Sequence, residues 1–191
     1  MGHLRILLLL LLPISLLAGE TPEAILKALP KSLGGCAIEE IHTYDQAPLG
    51  SSVDYSKPGF LCTVYAYDLG QKNIGEALTD PTLKAAFTGA RTDLKVATEK
   101  GYYSDLEERD HGTVTLSPGH EVLRARYHLT RQKGADTGAR VLSDVYVFGA
   151  KGQIIKLRFT ATVAKEEEHA KTIEEMVPAI MDAVRGKTPA K

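Results

Sequence analysis

The sequence predicts an α+β domain, an antiparallel sheet of about six strands flanked by helices in an α/β/α sandwich. Three observations lead there. Stretches alternating apolar and polar residues are joined by short turns, which makes neighbouring strands antiparallel. Two longer stretches repeat apolar residues every three or four positions, as helices with one buried face do. The composition is that of an ordinary globular chain: 191 residues, 43% apolar, 25% charged, net charge −1. That length holds one sizeable core, and the charge balance argues against a nucleic-acid binder.

The first 19 residues differ from the rest. Arg5 precedes the unbroken apolar run Ile6 to Leu12, and "LLAG" leads abruptly into "ETPE". This is the layout of a signal peptide. The apolar stretch to Leu17, interrupted by Pro13 and Ser15, is about 12 residues long, short of the ~20 a membrane span needs. The expectation is an exported protein, periplasmic or secreted, starting at Gly19 or Glu20, with no span in the mature chain. Residues 20–186 then form one domain and 187–191 a flexible tail.

Thr21-Pro22 supplies an N-cap and a first-position proline for a short helix ending by Pro30. "CAIEEIHTY" and "GFLCTVYAY" read as two strands separated by the turn-rich "DQAPLGSSVDYSKP". Asp80-Pro81 repeats the helix-start signal. Leu83, Phe87, Ala90, Leu94 and Ala97 make the apolar stripe of a helix that Gly101 closes. "GTVTLS" and "EVLRARYHLTR" are divided by the turn signal Pro118-Gly119. "DVYVFGAKGQIIKLRFTAT" is a hairpin, and a last helix from about Lys165 to Arg185 buries Ile173, Val177, Ile180 and Val184.

Two cysteines occur, Cys36 and Cys62. In an exported chain an even count points to a disulfide. Folding the first two strands as a hairpin about Leu49 sets them opposite each other, so a Cys36–Cys62 bridge is expected.

In the later hairpin, a three-residue loop Ala150-Lys151-Gly152 with a bulge pairs Tyr146 with Lys156 and Asp144 with Arg158. Val141, Val145, Ile155, Leu157 and Phe159 then face the core. With "EVLRARYHLTR" alongside, Arg124, Arg126, His128, Asp144, Tyr146, Lys156 and Arg158 share one sheet face. Arg124, Arg126, Tyr146, Lys156 and Arg158 are the binding candidates, suited to a protein partner or an anionic ligand. The competing reading is a solvated face held by cross-strand ion pairs.

Catalytic signatures are absent from the sequence. It lacks G-x-S-x-G, HExxH, CxxC and a P-loop ending, so no catalytic residue, metal site or cofactor is assigned. "YYSDLEERDHG" gathers Asp105, Glu107, Glu108, Asp110 and His111 in what reads as an acidic loop, the place where a hydrolase would put its acid and base.

The element order, with "DVYVFGAKGQIIKLRFTAT" feeding a terminal helix, resembles the PsbP-like α/β/α sandwich. That superfamily includes extrinsic photosystem subunits, a Ran-binding import factor and small bacterial envelope proteins. The resemblance implies a non-catalytic accessory or binding protein and carries over no functional residue. The alternatives are a helix-grip carrier, with an apolar cavity under a long terminal helix, and the hydrolase of the acidic 105–111 loop.

Overall fold

Two helical layers clamp one antiparallel sheet. The computed structural model describes residues 20–134 and 136–187; residues 1–19, where a signal peptide is expected, and residues 188–191 of the expected tail lie outside the described residues. The chain runs through α1 (Pro22–Lys27), β1 (Ser32–Leu33), β2 (Cys36–Ile38), β3 (His42–Thr43), β4 (Ser51–Lys57) and β5 (Phe60–Tyr67). Then come α2 (Pro81–Glu99), β6 (Tyr103–Thr115), β7 (Glu121–Arg131), β8 (Arg140–Ala150), β9 (Gln153–Thr162) and α3 (Glu166–Arg185). The sheet order is β1-β2-β4-β5-β9-β8-β7-β6, with β3 paired to β4.

The α+β class is as expected, but the sheet has nine strands among the described residues, not about six. The largest omission is β4, which lies inside the stretch read as a turn. Its period-two pattern is present, because Val53 and Tyr55 are buried on one face. Serines 51, 52 and 56 with Asp54 and Lys57 fill the remaining positions and make the segment look like a loop.

Strand β4 also removes the proposed disulfide. It lies between β2 and β5, so Cys36 and Cys62 sit on strands that are not neighbours. Two strand spacings are about 10 Å, beyond the roughly 7 Å limit between Cα atoms that a disulfide tolerates. Both are free, buried thiols. Burial pushes the Cys62 thiol well up, and Cys36 and Asp54 nearby push the same way.

The expected hairpin register is off by one. Ala150 pairs with Gln153 across a two-residue turn in which Lys151 and Gly152 both have positive φ, 52° and 78°. Left-handed geometry at both central positions makes the tight turn that matches strand twist. Lysine rarely adopts that conformation, so the sequence hides the turn. In consequence Asp144 faces Phe159 and Arg158 faces Val145.

Each face of β8 meets its own core. On one side α1 and α3 pack Leu26, Ile173, Met176, Val177 and Ile180 against Leu142, Tyr146, Phe148, Ile155, Leu157 and Phe159. On the other, α2 sets Leu83, Phe87, Ala90 and Leu94 over Leu123, Tyr127, Val141, Val145 and Val147. The hairpin residues expected in the core are all buried, yet Val141 and Val145 lie on the α2 side while Ile155, Leu157 and Phe159 lie on the α3 side. Gly149 lets the 68–80 connection touch β8, since a Cβ there would fall 2.2 Å from the Gly75 carbonyl oxygen.

His169 enters this core from the first turns of α3. It is 1% exposed, with its ring 5.4 Å from that of Phe60. Burial holds its imidazole below its usual value; Glu168 opposes this, and Lys57 and Lys165 reinforce it.

Two expectations follow. Phe159→Ala should cost about 3–5 kcal/mol, as truncations of buried aromatic residues do, read from denaturant midpoints. The folded chain favours neutral His169, so that contribution is complete above the unfolded value near 6.5. It fades as pH falls from there through the depressed folded value. The stability difference between the native protein and His169→Phe should therefore shift in favour of the variant below about pH 6.5, and a difference independent of pH would refute it.

Candidate functional site

The five binding candidates do not share a face. Arg124 is opposite Tyr146 and Arg126 opposite Asp144 on the α3 side. Lys156 is opposite Val147 and Tyr65, and Arg158 opposite Val145 and Thr63, on the α2 side. The one-residue change of register sends β9 to the other face, since side chains alternate along a strand.

On the α3 side the charges answer one another. The Arg126 guanidinium is bidentate on Asp144, with Nε–Oδ1 at 3.0 Å and Nη2–Oδ2 at 2.7 Å. Asp144 is fully buried and accepts a further bond from the Tyr146 hydroxyl at 3.3 Å. Burial pushes the Asp144 carboxyl up, with Arg126 opposing, and the hydrogen bond to Asp144 holds Arg126 charged more firmly. Arg124 pairs with Asp110 at 2.8 Å, and His128 with Glu166 at 3.1 Å. These groups are occupied internally.

The acidic segment is not a loop but most of edge strand β6. Its carboxylates are dispersed to separate partners: Glu108 to Arg91, Tyr127 and His111, Glu107 to Arg109 and Arg140, Asp110 to Arg124. Arg91 and Tyr127 bonds hold the Glu108 carboxyl below its usual value against a larger opposing effect of burial. Among the described residues no group of three His, Cys, Asp or Glu side chains stands close enough to hold a metal.

The α2 side differs. Helix α2 packs over β6, β7 and β8, leaving β5 and the start of β9 beside it rather than beneath it. The result is a groove of about 670 Å³. Its helix wall is made of small residues, Ala85, Ala86, Gly89 and Ala90, and its floor of Tyr65, Tyr67 and Lys156. Leu49 and Leu69 stand at the rim, 42% and 48% exposed. Leu69 has φ 52°, a conformation that costs a branched residue about 1 kcal/mol or more.

Lys156 is the charged centre of this groove. Its Nζ lies 4.2 Å from the Tyr65 ring centroid and 5.7 Å from that of Tyr67. Burial pushes its ammonium down, partly offset by Asp93 on the groove wall. Burial likewise moves the Tyr67 phenol up to about 12. Among the described residues neither Lys156 nor Arg158 has a carboxylate within 4.0 Å. The tyrosines escaped sequence reasoning, although "TVYAY" places Tyr65 and Tyr67 two residues apart on the face opposite Cys62, Val64 and Ala66. Their alternation was the available signal.

No family model matches the chain, and no curated protein matches it. Among solved structures it is similar to the solution structure of cyanobacterial PsbP (CyanoP) from Synechocystis sp. PCC 6803. The two are 12% identical, over 73% of this chain and 78% of that chain, with a TM-score of 0.46. This is a weak PsbP-like resemblance, and it concerns the fold. Among the described residues no helix is long and apolar enough to cross a membrane.

Because Asp144 is fully buried on Arg126, Asp144→Ala should cost about 3–5 kcal/mol, the range for breaking a buried pair and stranding one charge. Gly89 sits in the exposed middle of α2, where a Cβ would meet nothing within 4 Å. Gly89→Ala should therefore raise stability by about 1 kcal/mol. Thermal and denaturant unfolding of the two variants check both values.

Proposed function

We propose that the protein is an exported, non-catalytic binding protein that holds a small amphipathic anion in the groove beside α2. The ligand's anionic group meets Lys156, and its apolar body lies on Tyr65 and Tyr67 against the small-residue wall of α2. The observation that carries this reading is Lys156 itself, a cation set among aromatic rings on the floor of a groove without an ion-pair partner among the described residues. An ammonium withdrawn from water without a counter-charge lowers stability, and a ligand carboxylate would supply that charge. The volume supports a small molecule, since such sites run from about 300 to 1,000 Å³. Arg124, Arg126 and Tyr146 enter this reading as structural supports rather than ligand contacts. The export part rests on residues 1–19 and is tested by N-terminal sequencing of exported material, where a start at Gly19 or Glu20 supports it and an intact Met1 overturns it.

The binding test compares decanoate and phenylpropionate with the corresponding alcohols by calorimetry. The native protein should prefer the acids. Lys156→Met should erase that preference, weakening acid binding about tenfold or more for a lost charge-assisted contact, while unfolding at the same or a higher temperature. Gly89→Leu, which fills the groove, should weaken acids and alcohols alike. Equal binding of acid and alcohol by the native protein would remove the role of Lys156. Full acid binding by Gly89→Leu would remove the groove.

A further inference from the structure

A second pocket, of about 360 Å³, lies toward the far end of β9, where Gly59 of the β4–β5 turn, Asp136 and Ala139 meet it. It lies beyond the part of the α2-side face that forms the Lys156 groove. Its charges are unbalanced: Arg131 and Arg158 line it against one carboxylate, Asp136, while Lys57, also in the lining, gives its ammonium to the Gly34 carbonyl at 2.9 Å. Asp136 is taken by Arg131 at 3.1 Å. Arg158 donates one bond, from Nη2 to the Tyr103 hydroxyl at 3.2 Å, which leaves most of its N–H fork uncommitted among the described residues.

A second feature points independently to a ligand. Ser143 lines the same pocket and is 1% exposed, yet its hydroxyl oxygen has no hydrogen-bond partner among the described residues. Buried hydroxyls are nearly always paired, and an unpaired one calls for an explanation. Register places it beside the cation. Ser143 faces Thr160 and Val145 faces Arg158, so Ser143 and Arg158 are diagonal neighbours on one face.

We propose that this pocket binds a phosphate group, free or on a small ester, with the Ser143 hydroxyl donating from the sheet floor and Arg158 from the side. Arg131 adds positive field at the rim. A guanidinium fork matches phosphate geometry, and the oxygens of a tetrahedral anion can accept from floor, side and rim together, whereas a carboxylate has two. The proposal is independent of the Lys156 groove and stands if that reading fails.

The experiment titrates inorganic phosphate into the native protein at constant ionic strength by calorimetry, with acetate as a comparison arm. Glycerol phosphate, with its single ester, distinguishes a free anion from an ester ligand by which binds more tightly. Saturable phosphate binding that exceeds acetate binding is expected. Arg158→Met should weaken it about tenfold or more, and Ser143→Ala several-fold, on the scale of a lost charge-assisted and a lost neutral hydrogen bond. Ser143→Ala removes an unpaired buried hydroxyl, so it should fold at least as stably as the native chain and keep its affinity for decanoate. The proposal is overturned if phosphate fails to saturate, or if acetate binds as well. It is also overturned if both variants bind phosphate like the native protein, or if Ser143→Ala weakens phosphate and decanoate equally.

Discussion

Strand β8 has no face left for water. Every residue from Val141 to Ala150 is buried, and the strand carries a charged residue, Asp144, through the middle of that run. A strand buried on both sides needs a helical layer on each, and this requirement determines where the rest of the chain goes. Helix α3 lays its stripe over β8 and β9 on one side, and α2 covers β8 and its neighbours toward β6 on the other. Asp144 is tolerated because Arg126 reaches it from the adjacent strand with two hydrogen bonds and Tyr146 adds a third. Removing a carboxylate from water is costly, and only saturation of its acceptors offsets that cost.

The two helical layers are unequal, and the difference creates the groove beside α2. The α1 and α3 layer extends over the β2–β4–β5 end of the sheet through Leu26, Met176 and Ile173. Helix α2 stands toward the β6 end, with side chains too small to close over β5. What remains beside it is a floor of tyrosines and cations on β5 and β9. Charges on the two faces reflect this arrangement. Arg124, Arg126 and His128 find carboxylates on β6, β8 and α3. Lys156 and Arg158 have aromatic neighbours instead. A tyrosine face attracts a cation without neutralising it, which leaves the charge available to an anion.

Edge strand β6 shows how residues suited to chemistry can serve structure instead. Four carboxylates and a histidine within seven positions are the kind of cluster from which an acid–base pair is built. Alternation along an extended strand and two register shifts send them in different directions, and each of Glu107, Glu108 and Asp110 meets its own arginine. Charged side chains on an exposed edge also discourage pairing with another sheet. The same composition in a loop would permit convergence; in a strand it enforces separation.

Local chemistry determined much of this protein directly. The Asp80-Pro81 start of α2, the stripe of α3 ended by Gly186, the strands β7 to β9 and the last part of β6 were legible in the sequence. Each depends on residues within one or two turns of one another, through capping, backbone conformation or period. Tertiary structure decided everything that depends on which face of a strand meets which neighbour. Lys151 was held in a left-handed turn, so β9 shifted by one residue. That shift separated Lys156 and Arg158 from Arg124 and Arg126 by the whole thickness of the sheet. Strand β4, inconspicuous for its serines, inserted itself between Cys36 and Cys62. A period of two marks which residues alternate but not which set faces inward, because a slip of one residue exchanges the faces at little local cost. Only packing against the two helical layers breaks that symmetry, and the groove, the buried ion pair and the separated thiols all follow from how it was broken.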